Sequence, residues 1–162
     1  MKRLIYLLFC FLLLSGCNAI GEHFKEPVTF YYVRDGFEKD MSPVIDSEVR
    51  EASGHSNDLP YLLALYSMGP SEEDLTSVLP RNTKIYLRDY TEEGIILSMS
   101  DEGMSLSDAD FTLASTCLAL TCTKLVDAPQ ITVVCSDRTI NICMDNLLLH
   151  HNLIENVQED IK

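Results

Sequence analysis

Residues 1–16 constrain everything that follows them. Lys2 and Arg3 stand ahead of an unbroken apolar run from Leu4 to Leu14, and Ser15-Gly16 close the run immediately before Cys17. A helix that spans a bilayer needs about 20 apolar residues, and this run stops after eleven. The layout of charge, apolar core and small residues is that of a secretory leader, so the leader is read as an address to be removed and the fold is sought in the remaining chain.

Leu14-Ser15-Gly16-Cys17 also resembles a lipobox, in which small residues admit the peptidase and the cysteine thiol carries a diacylglyceryl group. Two acyl chains give stable anchoring, because each buried methylene contributes about 0.8 kcal/mol. Lipidation at Cys17 would hold the mature chain on the outer face of a bacterial cytoplasmic membrane.

Without residues 1–16, which carry two of the twelve basic residues and none of the twenty-five acidic ones, 146 residues remain with net charge −15. That length suits one domain with a single core. The charge argues against nucleic acid, whose phosphates need clustered Lys and Arg, and against lying flat on anionic headgroups. The expected organisation is a tether over 17–27, one domain over 28–145 and a tail over 146–162.

Val28 to Arg34 is rich in β-branched and aromatic residues and runs into Asp35-Gly36, which predicts a strand ending in a turn. Asp46 to Asn57 is polar and shows no clear period; part of it is compatible with helix. Asp58 offers an N-cap ahead of Pro60 and the apolar Leu62, Leu63, Leu65 and Tyr66, and Gly69-Pro70 ends that helix. Thr83 to Tyr90 alternates as a half-buried strand, Glu92-Glu93-Gly94 turns the chain, and Ile95 to Met99 is its hairpin partner. Ser107 with Asp110 three places on caps a second helix reaching about Asp127. After Pro129 two further strands, around Ile131 to Ser136 and Ile140 to Met144, are joined by a turn at Asp137-Arg138. The mixture is α+β.

At 3.6 residues per turn, Phe111, Ala114, Leu118, Cys122 and Leu125 form the inner stripe of the second helix. Cys117 falls on its flank, and Leu113 and Leu120 lie nearly opposite, as a candidate contact surface. If Asp137-Arg138 sets the register, Cys135 faces Ile140, Val133 faces Ile142 and Thr132 faces Cys143. Cys135 is then inward and Cys143 outward, which disfavours a disulfide between them; Cys122 and Cys135 are the pair best placed to touch. Outside the cytosol disulfides are permitted, but the spacings of Cys117, Cys122, Cys135 and Cys143 include no CxxC, and small buried hydrophobes are the plainer reading.

Several segments together resemble the GerMN domain of sporulation and spore-germination lipoproteins. Ala64-Leu65 to Gly69-Pro70 is similar to its helix ending in Gly-Pro, and Leu79-Pro80-Arg81-Asn82-Thr83-Lys84-Ile85 to its Pro-x-x-Thr approach to a strand. Gly94 to Ser100 resembles its glycine turn and strand, Ala114 to Leu125 its long helix, and Ile131 to Val134 the strand after it. The resemblance covers roughly Val28 to Met144. Ser136-Asp137-Arg138 stands where the family has an Asp-Gly turn, one copy is present where some members carry two, and the cysteines match no family motif. The resemblance implies a single two-layer α/β sandwich, a small mixed or antiparallel sheet packed against two helices and akin to ring-building domains. It implies protein contacts, with no enzyme activity and no cofactor. The implied partners are envelope or sporulation proteins, including further copies of this chain.

The chain contains no GxSxG, HExxH, GxGxxG or GxxxxGK motif. His150 and His151 are adjacent, so their side chains diverge, and a chelating pair needs i, i+2 or i, i+4 spacing. Glu72-Glu73-Asp74, Asp101-Glu102 and Asp108 with Asp110 read as solvated or helix-capping acids. The expected contact surface therefore comprises Tyr86 and Arg88 on the strand from Thr83 to Tyr90, together with Leu113 and Leu120. The competing expectation is a small-ligand or wall-fragment binding module.

Overall fold

The computed structural model describes residues 26–36 and 44–143. Cys17, most of the expected tether, and the tail beyond Cys143 lie outside the described residues.

Strand β1 (Pro27–Arg34) is buried along nearly its whole length: Val28, Phe30, Tyr31, Tyr32 and Val33 are all core residues. It is the middle strand of a three-stranded antiparallel sheet. On one side it pairs with β2 (Ile45–Glu51), in the register Thr29 with Val49 and Tyr31 with Ser47; on the other lies the two-residue β3 (Leu75–Thr76). The polar stretch that showed no period is therefore a strand at its start. Its apolar Val49 points to solvent while Glu48 is 2 % exposed, so the hydrophobic alternation that reveals a strand is inverted.

Helix α1 (Leu59–Ser67) begins as its cap residues dictate, with Asp58 Oδ1 accepting the Tyr61 N–H at 3.1 Å and Pro60 in the first turn. It buries Leu59, Leu62, Leu63 and Tyr66. Tyr66 stacks on Tyr32 with ring centroids 4.8 Å apart, and the Tyr32 hydroxyl donates to Tyr66 O at 3.0 Å.

The second sheet has the order β4 (Ile85–Thr91), β5 (Gly94–Met99), β6 (Gln130–Cys135), β7 (Arg138–Cys143). The hairpins β4–β5 and β6–β7 are antiparallel, and β5 pairs with β6 in parallel. A parallel pair needs a long crossover, supplied here by a 3₁₀ turn (Asp101–Ser105) and helix α2 (Asp108–Leu125). Ser107 Oγ accepts the Asp110 N–H at 3.1 Å, which is the expected cap. The fold is α+β, with two α-helices among the described residues and strands divided between a three-stranded and a four-stranded sheet.

Two expectations are corrected. The first is the register of the last hairpin. Ser136 adopts φ +56°, the turn is Ser136-Asp137, and Arg138 already pairs with Cys135, so Val133 faces Ile140 and Thr132 faces Asn141. Arg138 is held at the start of its strand by bonds to Leu106 O at 2.8 Å and Gly103 O at 2.7 Å, and by its position over the Phe111 ring. The slip is two residues, so the faces are unchanged: Cys135 is buried and Cys143 exposed.

The second concerns the Leu113/Leu120 surface. Leu120 is 5 % exposed, Leu113 is partly buried against the core, and the flanking Cys117 is buried too. Helix α2 lies between layers, meeting β1 of one sheet and β7 of the other, so its burial extends far beyond one stripe. Leu120 is part of the interior and Leu113 is half-buried at its margin.

A candidate docking groove at the edge of β4

Strand β4 ends its sheet, with β5 as its neighbour on one side. The Ser100 N–H donates to Lys84 O at 2.9 Å, and the Lys84 N–H returns to Ser100 Oγ at 3.0 Å. Hydrogen bonding alternates along an antiparallel strand. Tyr86, two residues on, therefore bonds toward its partner Ser98. Ile85 and Leu87 point their N–H and C=O groups the other way, along the free edge. Beyond them the register shifts at Arg88, a bulge that leaves this residue without a cross-strand partner and twists the strand end.

That edge borders an open groove of about 980 Å³, lined also by Ala64 of α1, by Met68 at the C-cap of that helix and by the segment leading into β4. The approach is a tight turn. The Thr83 N–H bonds to Pro80 O at 3.1 Å, and Asn82 takes φ +67°, a conformation asparagine tolerates. The turn leaves Arg81 and Lys84 exposed and folds Thr83 inward to 2 % exposure. Thr83 Oγ1 is buried without a hydrogen-bond partner. Arg81 and Lys84 line the groove and no carboxylate does, in a chain with twenty-five acids and twelve bases.

Of the residues singled out from sequence, Tyr86 lines this groove and is 51 % exposed, and Arg88 is exposed beside it. Leu113 and Leu120 are elsewhere, Leu120 buried and Leu113 half-buried against the core. Thr83 and the free edge were visible in sequence only as part of the Pro-x-x-Thr motif; nothing in the letters marks the threonine as buried and unpartnered.

The strongly shifted groups lie away from the groove. Burial pushes the Cys117 and Cys122 thiols up to about 12, and they stay protonated and unreactive at neutral pH. Burial likewise raises Tyr32, against the opposing charge of Arg50, and raises Tyr66. Cys117, Cys122, Cys135 and Cys143 are free thiols. Cys135 Sγ lies 3.9 Å from Ser100 O, so its recorded partner is the backbone next to the 3₁₀ turn.

A second polar cluster is structural. Glu48 accepts from Arg50 Nε at 2.6 Å and from the Ser71 and Glu72 N–H groups at 2.8 and 3.1 Å. Arg50 in turn reaches Leu65 O, Gly69 O and the Tyr32 hydroxyl. The pair clamps the end of α1 to β2, and the acids at 72–74 form a turn here, not a helix start. Among the described residues, no three His, Cys, Asp or Glu side chains gather as a metal site, and no helix is long and apolar enough to cross a membrane.

No family model matches this chain, and no curated protein matches it. Among solved structures, the tandem GerMN domains of the sporulation protein GerM from Bacillus subtilis superpose with a TM-score of 0.51 at 17 % identity, over 70 % of this chain. The chain spans 39 % of that protein's length. The first GerMN domain of the same protein gives 0.49 at 12 % identity over 71 % of this chain and 86 % of its own length. A Clostridium perfringens chain described as a lipoprotein gives 0.42 at 21 % identity over 70 % of this chain and 76 % of its own. At the level of backbone architecture, the tandem-domain structure identifies the fold of this chain as that of the GerMN domain.

Proposed function

We propose that this chain is a non-catalytic lipoprotein, anchored through Cys17 on the outer face of the cytoplasmic membrane, whose domain makes protein–protein contacts in sporulation or cell-envelope assembly. In this reading residues 1–16 are removed, 17–27 form the tether, 28–145 the working domain and 146–162 a tail. The leader ending at Cys17 supports the location. The observation that carries the contact role is the free edge of β4, where Ile85 and Leu87 present backbone groups to an open groove. Unpaired strand edges are templates for association. The shifted thiols and phenols are fixed in their protonated forms, which suits a binding role and not covalent catalysis.

Chemical cross-linking in intact cells at several growth stages, followed by mass spectrometry, tests the contact role. Cross-links from the β4 region to other envelope proteins are expected, and recovery of monomer at every stage counts against it. Incorporation of labelled palmitate that disappears in Cys17→Ser tests the anchor.

One observation favours a second reading. The groove volume sits near the top of the range for small-molecule sites, about 300–1,000 Å³, as a wall-fragment binding module would require. Saturable binding of purified muropeptides, lost on filling the groove with Ala64→Trp, would establish it.

A further inference from the structure

The free edge of β4 and the cationic turn before it border one groove, and together they specify what it takes. We infer that the groove binds an extended peptide segment of a partner protein bearing Asp or Glu side chains, which adds as a strand to the edge of β4. This rests on the protein-contact reading above and names the chemistry of the partner.

Three independent features converge. Ile85 and Leu87 alternate with Tyr86, so their backbone groups repeat along the free edge at the two-residue period that an added strand requires. Arg81 and Lys84 stand at the end of that edge where the chain enters β4, and no carboxylate lines the groove, the acid that feels the charge of Lys84 being Glu102 beside Ser100, outside the lining. A carboxylate on the incoming segment meets both, while the surrounding negative charge of the chain is screened beyond about 8 Å at physiological salt. The apolar lining residues Ala64, Met68 and Leu79 suit the alternate side chains of an extended segment.

The test uses the full chain in detergent micelles and a display library of randomised heptapeptides. Enriched sequences are resynthesised, their affinity is read by fluorescence anisotropy, and backbone protection is read by hydrogen–deuterium exchange. The expected result is enrichment of Asp and Glu, an affinity loss of at least tenfold in R81E/K84E with an unchanged melting temperature, and new protection of the Ile85 and Leu87 amides on binding. Enrichment of basic or uncharged peptides, binding without protection at Ile85 and Leu87, or failure to enrich any sequence would overturn the inference. So would full protection of these amides in the peptide-free protein, since the edge would then be filled by the chain itself. Cellular cross-links that map elsewhere on the domain would leave the contact role standing while this inference falls.

Discussion

Thr121 Oγ1, buried near the C-terminal end of α2, accepts the Tyr31 N–H of β1 at 3.0 Å. On this side of β1 the short strand β3 covers only Val33 and Arg34, and a helix side chain takes over where the strand runs out. One hydroxyl thus joins the helix to the sheet that it does not cross over.

Thr121→Val preserves volume and removes that acceptor. A buried donor deprived of its partner costs about 1–3 kcal/mol, so the variant should lose about 2 kcal/mol in urea unfolding, and Thr121→Ser much less. Equal loss in the two variants would mean that the methyl group matters and not the bond.

Glu48 and Arg50 make a larger prediction. Removing one partner of a buried ion pair costs about 3–5 kcal/mol, and Glu48→Ala also strips the acceptor from Ser71 and Glu72 N–H. The variant should be close to the limit of folding at 37 °C, with Glu48→Gln intermediate. Circular dichroism during thermal unfolding reads both.

The same cluster shows what a linear reading misses. The caps, the first hairpin and the existence of the second were legible because their signals are local: Asp58 and Pro60, Ser107 and Asp110, Glu92-Glu93 before Gly94; the register of the second was not, because Asp137-Arg138 carries no glycine to fix the turn and Arg138 is held by Gly103 and Leu106. Strand β2 was not, because its inward residue is a carboxylate whose partners lie in the loop after α1, more than twenty residues away. The burial of Leu120 was hidden for a related reason: periodicity locates the first face of a helix, but a second layer behind it leaves no trace in the spacing. The docking edge was half legible. Alternation placed Tyr86 on a strand, while the unpaired side of that strand depends on how β5 and β6 join.

Cys117 and Cys122 give a pH dependence with a definite sign. Their pKa values rise from 9.0 to about 12 on folding, so above pH 9 the unfolded chain releases protons that the native one keeps. Their contribution is fully present below pH 9 and is lost as pH climbs toward 12, by up to about 1 kcal/mol per pH unit for each thiol. The melting temperature should fall through this window, and more gently in Cys117→Ala when each protein is compared with its own value at pH 8. Parallel slopes would remove the thiol from the explanation.

Thiol accessibility offers an independent check. In the native protein at pH 7.5, maleimide should modify the exposed Cys143 and spare the buried Cys117, Cys122 and Cys135 until denaturant is added. Peptide mapping by mass spectrometry distinguishes the sites. Rapid native labelling of Cys122 would contradict its position in the core.

Gly94 adopts φ +152°, and a Cβ there would run into the backbone carbonyl of Gln130. Gly94→Ala should therefore push β5 and β6 apart where they first meet and cost about 2–3 kcal/mol, measured by chemical denaturation. A cost near that of an exposed strand substitution would show that the junction yields.

That junction also sets how the molecule comes together. The hairpins on either side of it close between neighbours in the chain, but Ile95 meets Ile131, and Leu97 meets Val133, only after the whole intervening crossover is in place. Pairings between residues far apart in the chain slow folding. Neither hairpin alone covers these four side chains, so a chain that has closed only its hairpins still shows them to water and to any protease it meets.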